Sequence, residues 1–358
     1  MILGRRNAWL FAVAFLLGML ALSWQLNQRR AFEAGGLRGD GKHLETYGFD
    51  LSDLAIPRSE IVPSGVPRDG LPALSHPPRL DAAGLAALNA KGREPFLMGS
   101  DRVLGVAANG AACAYPVSIL NWHEVVNDTL GGEALLVTWN PLCGAACAYA
   151  SEGVAFGVSG LFYNSNLLLY DRGTPSDSTQ AASLWSQLTG RALAGPAAAR
   201  GDSLARVPVA LTRWDDWLAR HPGTAVLEPS EEGLARKYRR RPYVSYLGSD
   251  RLQYPARPLP DEEATGLSLK SPVLSVWTGG ERRLYPLAWI AARADADGRW
   301  QDTLAGRALA FRVWPGDPPV ATVTSPDGAP VTCAEAFWFA WYSQEPLATR
   351  WLAGEPTP

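Results

Sequence analysis

"VLGVAANGAACAYPVSIL" (residues 103–120) is repeated in outline by "VLSVWTGGERRLYPLAWI" (residues 273–290). In each stretch an apolar run leads into a glycine turn, a second run ends in Tyr-Pro, and another apolar run follows. Short apolar runs separated by glycine and proline are typical of β-strands joined by tight turns. The repeat therefore predicts two copies of one β-rich unit.

A second pair of segments extends the repeat, because "NDTLGGEALLVTW" (127–139) matches "QDTLAGRALAFRVW" (301–314). The copies therefore lie near 103–149 and 273–325, with other sequence inserted between them. We predict an α+β protein rich in β-structure, with a duplicated β unit, an inserted segment and a few short helices.

The predicted domain runs from 69 to 351 and divides into copy one (100–150), the insert (151–262) and copy two (270–345). Three segments have the spacing of short helices: 81–91, 212–222 and 332–344. In the last of them, Thr332 is the predicted N-cap and Glu335 stands at the capping-box spacing.

The first 30 residues differ from the rest of the chain. An uncharged apolar run from Ala8 to Trp24 follows Arg5 and Arg6, and its length is close to the minimum for a membrane span. We interpret residues 1–30 as a signal anchor, with a cleaved signal peptide as the alternative. Residues 31–68 are then a tether. The domain is expected in the periplasm or otherwise outside the cytoplasm, anchored to the inner membrane, or secreted if the peptide is cleaved.

Composition limits the partners. The formal net charge is −2 and charged residues make up 19% of the chain, which gives no reason to expect a nucleic acid as partner. The membrane, through the N-terminal helix, is the predicted contact.

The repeat also serves as an internal control on each motif. Asp128 matches Asp302 within Asp-Thr-Leu-x-Gly, so Asp128 is predicted to be a turn residue that bonds its own backbone. His123 and Glu124, in "ILNWHEVVND", have no counterpart in copy two. A feature that only one copy carries is a candidate for function, and the alternative is a histidine that braces a turn.

The hexapeptide "GAACAY" occurs at 110–115 and again at 144–149. If the two strands are neighbours, Cys113 and Cys147 face each other, and an extracytoplasmic location permits a disulfide. We predict this disulfide, with two buried thiols as the alternative. Cys143, in the turn "NPLCG", is the candidate nucleophile or soft metal ligand, whereas Cys333 is expected to be buried.

Several long motifs together resemble the bacterial and archaeal family called domain of unknown function 3179 (DUF3179), from about Asp69 to Trp351. They are "DGLPAL" (69–74), "AYPVSILNWHEVVNDTLGG" (114–132), "PLCG" (141–144), "FGVSGLFYNSNLLLYDR" (156–172), "SLWSQLTGRALAGP" (183–196) and "WDDWLARHPGTAVL" (214–227). The family has no established activity, so the resemblance implies kinship and not a function. The family's Cys-Pro-Leu-Cys-Gly has Asn140 in place of its first cysteine here, which weakens a Cys-x-x-Cys metal or redox role.

The insert carries a run of uncharged polar residues beside aromatic ones. Such groups suit a neutral polar ligand, for example a sugar or a peptide, and the alternative is hydrogen bonding within buried turns. The predicted ligand-binding residues are Trp122, Asn127, Ser159, Asn164, Ser165, Asp171, Trp185, Ser186 and Gln187. The basic run 236–243 is expected to be a solvated face.

Three functions follow from these residues. The first is an anchored extracytoplasmic protein that binds a small polar ligand, or another envelope protein, through a pocket of copy one and the insert. The second is an enzyme with Cys143 as nucleophile, His123 as base and Glu124 as the group that orients it. The third is a metal or redox protein in which His123, Cys143 and a carboxylate bind copper or zinc. The sequence itself requires no cofactor.

Overall fold

The computed structural model describes residues 38–91, 94–172 and 182–352. This part of the chain is a β-rich α+β fold with several sheets and a few short helices, which confirms the predicted fold class.

The strands in the described residues are β1 Ile61–Pro63, β2 Leu74–Ser75, β3 Arg79–Leu80, β4 Arg102–Ala108, β5 Ala111–Pro116, β6 Val125–Leu130, β7 Glu133–Asn140, β8 Ala145–Ala150, β9 Phe156–Tyr163, β10 Asn166–Asp171, β11 Leu184–Ser186, β12 Ala192–Ala194, β13 Arg206–Val207, β14 Val209–Arg213, β15 Ala225–Leu227, β16 Pro272–Thr278, β17 Glu281–Pro286, β18 Arg299–Leu304, β19 Arg307–Trp314, β20 Val320–Thr324 and β21 Cys333–Phe337.

The helices are α1 Ala82–Lys91, α2 Val117–Leu120, α3 Gly195–Arg200, α4 Trp214–Arg220, α5 Glu231–Arg236, α6 Val244–Leu247, α7 Glu262–Thr265, α8 Leu287–Arg293 and α9 Trp338–Gln344, with 3₁₀ turns at Leu44–Tyr47, Arg58–Glu60 and Ala348–Trp351. The predicted helices 81–91 and 212–222 correspond to α1 and α4. The third prediction is wrong in its first half: residues 333–337 form β21, and the helix begins at Trp338. Thr332 and Glu335 therefore do not cap it, because the alternating segment Cys333–Phe337 pairs as a strand with β16 instead.

The strands form four sheets. Their orders are β1-β9-β10-β11-β12; β17-β16-β21-β8-β7-β6-β2, with β13 also on β8; β14-β4-β5-β15-β3; and β18-β19-β20. The second sheet contains strands of both copies, so the copies share hydrogen-bonded structure and a continuous core.

The repeat extends further than the sequence indicates. Copy one is a β4–β5 hairpin, α2 and the meander β6–β7–β8, and copy two is β16–β17, α8 and β18–β19–β20. Each copy then ends with a strand that pairs antiparallel with its own first strand, followed by a helix. In copy one β14 pairs with β4 (Arg213 opposite Arg102) and precedes α4; in copy two β21 pairs with β16 (Phe337 opposite Pro272) and precedes α9. The segment 209–220 therefore belongs to the repeating unit, and the inserted strands are β9–β13.

The final helices of the two copies are anchored in the same way. Trp214 and Trp217 in α4 correspond to Trp338 and Trp341 in α9, and all four side chains are buried. Tryptophans three residues apart lie on one face of a helix, so each helix packs its indoles onto the sheet that its own copy forms.

A tyrosine and an aspartate join hairpin to meander in both copies. The Tyr115 hydroxyl donates to Asp128 Oδ2 over 2.8 Å, and the Tyr285 hydroxyl donates to Asp302 Oδ2 over 2.7 Å. Asp128 Oδ1 also accepts the backbone N–H of Thr129 at 2.8 Å. Asp128 nevertheless lies within β6, so its prediction as a turn residue is wrong.

An arginine binds the aspartate of this tyrosine–aspartate pair in both copies, but it comes from a different strand in each. Arg283 pairs with Asp302 at 2.7 Å, whereas Arg79, from β3, pairs with Asp128. Cys113 occupies the position of Arg283 in copy one. The same charge arrangement is therefore built twice, with a cysteine left where copy two has its arginine.

The predicted disulfide between Cys113 and Cys147 is wrong, because all four cysteines are free and buried. Cys113 lies on β5 in the third sheet and Cys147 on β8 in the second. Cys147 packs with Val125 and Leu136 in one hydrophobic cluster, and Cys113 packs with Leu104 in another. The two thiols thus belong to different cores.

The predicted signal anchor, residues 1–30, lies outside the described residues, as do residues 31–37 of the predicted tether. From residue 38 onwards the segment predicted as a tether is part of the fold, because β1 pairs with β9 and Tyr47 is fully buried. Among the helices that are described, none has both the length and the apolar character to cross a bilayer.

The Tyr–Asp–Arg groups give a matched stability prediction. Asp128→Ala should lower the free energy of unfolding by about 3 kcal/mol, because it leaves the buried Tyr115 hydroxyl without its acceptor and Arg79 with the Thr129 carbonyl but no carboxylate. Asp302→Ala should cost about 1 kcal/mol, because Asp302 is more exposed (23% against 2% for Asp128). Urea denaturation followed by tryptophan fluorescence measures both, and equal losses would contradict the account.

Candidate functional site

The turn between α2 and β6 sets the direction of His123 and Glu124. The Glu124 backbone is left-handed, with φ of +56°, and its carbonyl accepts the Trp139 N–H at 2.9 Å. In copy two, α8 continues to Arg293 where α2 stops at Leu120. The turn that carries these two residues is therefore peculiar to copy one.

His123 is 8% exposed and both of its ring nitrogens are bonded. Nδ1 lies 2.8 Å from the Pro72 carbonyl, and Nε2 lies 2.8 Å from the Tyr238 hydroxyl. A carbonyl only accepts, so Nδ1 carries the proton and Nε2 accepts from Tyr238. Burial lowers the pKa of His123, which fits this neutral, doubly bonded ring that braces the turn.

Glu124 is 3% exposed, and no hydrogen bond or ion pair reaches its carboxyl from the described part of the chain. Burial raises the pKa of Glu124 to about 8. Its negative charge, when present, raises the pKa values of Cys143, Tyr243 and Tyr254. The Glu124 carboxyl therefore lies near these three groups, whereas His123 bonds Tyr238.

Cys143 lies in the tight turn between β7 and β8. The following Gly144 has φ of +57°, and a Cβ there would lie 2.7 Å from the Phe337 ring, so only glycine fits. The Cys143 thiol is fully buried and donates to the Ser165 carbonyl at 3.3 Å. Burial raises the pKa of Cys143, so the thiol form, which is a poor nucleophile, prevails at neutral pH.

Asn140 precedes this turn and is fully buried. Its Oδ1 accepts the Leu142 N–H at 3.0 Å, but its Nδ2 has no partner in the described residues. A buried N–H without an acceptor costs on the order of 1–3 kcal/mol. Asn140 occupies the position of the cysteine in the family motif, so this unused donor stands at the motif's altered position.

A segment that the sequence did not single out covers the turn. We name residues 238–254 the tyrosine segment after Tyr238, Tyr243, Tyr246 and Tyr254. The Tyr246 hydroxyl donates to the Leu142 carbonyl and the Tyr254 hydroxyl to the Ser64 carbonyl, each over 2.7 Å. Together with Tyr243, these two rings pack against the hydrophobic cluster that contains Cys143.

The predicted solvated face at 236–243 is correct for part of its length. Arg239, Arg240 and Arg241 are exposed, while Tyr238 is 6% exposed and bonded to His123. The signal in the sequence was the tyrosines interleaved with the arginines, since aromatic rings with a polar tip are suited to a buried position that needs one hydrogen bond.

The polar run of the insert bonds largely to the protein's own backbone. Asn127 accepts the Phe156 N–H at 2.7 Å and donates to its carbonyl at 2.9 Å, and Asn164 donates to the Ser343 carbonyl at 2.8 Å. Asp171 accepts the Ser183 N–H at 2.9 Å and the Trp185 indole N–H at 3.0 Å.

The remaining polar residues follow the same rule. Gln187 donates to the Thr138 hydroxyl at 2.8 Å. Ser159 donates to the Leu168 carbonyl, Ser165 to the Tyr254 carbonyl, and the Ser186 hydroxyl accepts the Thr189 N–H. Trp122 differs, because its buried indole N–H has no partner in the described residues, but it packs with the cluster of Cys113. These contacts agree with the alternative of internally bonded turns.

The structure separates His123 from Cys143. The former bonds Pro72 and Tyr238, the latter Ser165, and neither bonds the other. In residues 38–91, 94–172 and 182–352, no group of three or more His, Cys, Asp or Glu residues could hold a metal ion. Glu124, Cys143, Asn140 and the rings of the tyrosine segment are the groups that come together.

Comparison with known proteins agrees with the sequence motifs. The family model described as "Protein of unknown function (DUF3179)" matches residues 68–325. Searches of curated proteins and of solved structures found no match to the chain. Because the family match covers more than half of the chain, this protein belongs to the DUF3179 family.

Proposed function

We propose that the protein is a membrane-anchored, extracytoplasmic binding protein that takes a small polar ligand at Glu124. The site lies between copy one, the insert and the tyrosine segment. The observation that carries the proposal is the Glu124 carboxyl: the residue is only 3% exposed, and the carboxyl makes no hydrogen bond with the described residues.

Burying such a group is expensive. A polar group taken out of water without a replacement hydrogen bond costs on the order of several kcal/mol, and a left-handed backbone at a non-glycine residue adds roughly 1 kcal/mol or more. The equivalent position of copy two, Ala294, has neither feature, since its φ is −67° and it carries no carboxyl. Costs that the repeat shows to be unnecessary for folding are typical of positions kept for binding or chemistry.

The neighbours of Glu124 define the ligand. At neutral pH the carboxyl is largely protonated, so it can donate one hydrogen bond and accept others. Asn140 Nδ2 supplies a second unused donor in the adjoining turn. Tyr243 supplies a ring with a polar tip, whereas the Tyr246 ring is covered by Lys270 Nζ at 3.5 Å and the Tyr254 ring stacks on Phe162. Such a set favours a neutral ligand with hydroxyl or amide groups.

The alternative functions lack the contacts on which each depends. A Cys–His enzyme requires Cys143 to be partly exposed and bonded to His123, whereas the thiol is buried and bonds Ser165. A metal centre requires ligands that converge, and His123 bonds two oxygen atoms elsewhere. Binding requires only a group left unsatisfied, which Glu124 provides.

The anchor rests on the apolar run Ala8–Trp24. We predict that the full chain stays in the membrane fraction through an alkaline wash, at the mass of the uncleaved protein. Recovery of a shorter chain in the soluble extracytoplasmic fraction would contradict anchoring and indicate cleavage.

Glu124 should make stability depend on pH. The folded state holds the proton up to about pH 8, whereas an unperturbed carboxyl releases it near 4.5. Between these values the folded state binds more protons than the unfolded state, so stability falls as pH rises. Glu124→Gln should abolish a fall of about 4 kcal/mol across this range. Urea unfolding at a series of pH values measures the difference between variant and wild type.

Glu152→Gln is the matched control, because Glu152 also has a left-handed backbone, with φ of +50°, but is exposed. It should leave the pH dependence unchanged. If Glu124→Gln also leaves it unchanged, the Glu124 carboxyl is ionised at neutral pH and the site is not as described.

The ligand proposal is tested with a panel of monosaccharides and short peptides. A ligand should raise the Tm of the wild type and of Glu152→Gln, but not of Glu124→Leu. The leucine variant should itself be at least as stable as the wild type at pH 7, because it removes a buried unsatisfied group. A panel without effect, or one whose effect survives in Glu124→Leu, would overturn the proposal.

A further inference from the structure

Copy two carries an exposed groove of about 820 Å³. We name it the arginine groove, after Arg282, Arg283 and Arg350, which line it together with Trp289 and Trp351. Its volume falls within the roughly 300–1,000 Å³ that is usual for small-molecule sites. It lies in copy two, whereas the Glu124 site lies in copy one.

Arg282 forms the floor of the groove and is 8% exposed. Its Nε donates to the Ser275 hydroxyl at 2.8 Å and its Nη1 donates to Glu345. Its Nη2 is buried and has no partner in the described part of the chain. A guanidinium N–H left without an acceptor is a donor that a ligand can satisfy.

Indole rings hold this guanidinium in place. The Arg282 Cζ lies 5.0 Å from the ring centroid of Trp277, 4.7 Å from that of Trp341 and 4.6 Å from that of Trp351. On the far side of Trp351, Arg350 lies 4.3 Å from the same ring. The arginine fork is therefore preorganised, which lowers the entropy that a ligand must offset.

Three arginines and two carboxylates line the groove, and their hydrogen bonds leave arginine donors unused. Asp302 and Glu281 also line it, but Asp302 already accepts from Arg283 and Tyr285. Glu345 already accepts from Arg282. The exposed Arg350 side chain takes part in no hydrogen bond or ion pair with the described residues. Unused donors therefore remain at Arg282 and Arg350, while Glu281, which is exposed and makes no side-chain hydrogen bond with the described residues, leaves one negative charge at the groove.

The repeat shows that the architecture does not require these residues. The positions of Arg282, Arg283 and Trp289 are Ala112, Cys113 and Ile119 in copy one. Arg283 forms an ion pair with Asp302, and in copy one Arg79 forms the equivalent ion pair with Asp128. Arg282 and Trp289 have no such counterpart.

We propose that the arginine groove binds a small ligand whose oxyanion group is attached to a ring. Planar guanidinium groups recognise carboxylate, sulfate and phosphate with parallel hydrogen bonds. The half-exposed Trp289 ring offers the ligand's ring an apolar surface. The groove thus gives the protein a second ligand site, of a different chemical class from the Glu124 site.

The test uses isothermal calorimetry on the full chain at low ionic strength. The probes are glucuronate, glucose, inorganic sulfate and inorganic phosphate. Glucuronate and glucose share a ring and differ in the carboxylate, so glucuronate should bind saturably and glucose should not. Sulfate or phosphate should compete with glucuronate for the groove. Among glucuronate, sulfate and phosphate, the probe that binds most tightly identifies the oxyanion that the natural ligand carries.

Arg350→Met should weaken glucuronate binding about fivefold, the effect expected of one exposed charge-assisted hydrogen bond. Arg350→Lys should recover part of the loss, since it restores the charge. Arg293→Met is the matched control: Arg293 lies 3.7 Å from the Trp289 ring but does not line the groove. It should leave binding unchanged.

The proposal would be overturned if none of the oxyanion probes bound saturably. Equal binding of glucose and glucuronate would also overturn it, as would equal losses in Arg350→Met and Arg293→Met. Arg350 and Arg293 are both exposed, so neither substitution should disturb the fold. Thermal unfolding of each variant checks this.

Discussion

The pairing of the last strand of each copy with its first strand is the constraint on which the rest of the structure depends. The register is equivalent in the two copies, with Arg213 opposite Arg102 and Phe337 opposite Pro272. In copy one the chain makes the strands β9–β13 before β14 returns to β4. The insert must therefore leave and re-enter at one place, and it lies over the turn of Cys143, where Ser165 accepts the thiol.

That arrangement explains why a buried carboxyl is tolerated. Glu124 stands in a left-handed turn, and its charge acts on Cys143, Tyr243 and Tyr254, which lie in or against the cluster that the insert and the tyrosine segment cover. His123, one residue earlier, is used to fix the same turn through two hydrogen bonds. Of these two adjacent polar residues, His123 stabilises the turn, and the Glu124 carboxyl remains without a hydrogen bond in the described residues.

Much of the fold followed from the sequence, because the repeat depends on local patterns: strands, glycine turns and Tyr-Pro recur at a fixed spacing. Two of the errors involve pairing at long range, whereas Asp128 was misplaced within the local β6–β7 hairpin. The residues Cys333–Phe337 were predicted as helix because their neighbours are helical, and pairing with β16 decides otherwise. The identical hexapeptides around Cys113 and Cys147 suggested neighbouring strands, but they lie in different sheets.

The site was predicted only in part, for the same reason. The absence of a second copy of His123 and Glu124 was visible in the sequence, but the two hydrogen bonds of His123 and the lack of any at the Glu124 carboxyl depend on the tertiary fold. Tyr243, Tyr246 and Tyr254 reach the turn from more than 100 residues further along the chain, and no local pattern specifies that contact. The unused donor of Asn140 is likewise a property of packing.

The most direct test of the account is the ionisation of Glu124 itself. Infrared spectra of the wild type minus those of Glu124→Gln, recorded across a pH titration, isolate the carboxyl of this one residue. We predict a protonated carboxyl band, without the shift that a strong hydrogen bond causes, which persists through neutral pH and disappears near pH 8. A carboxylate already formed at pH 6 would show that Glu124 is solvated or paired, and would contradict the central claim.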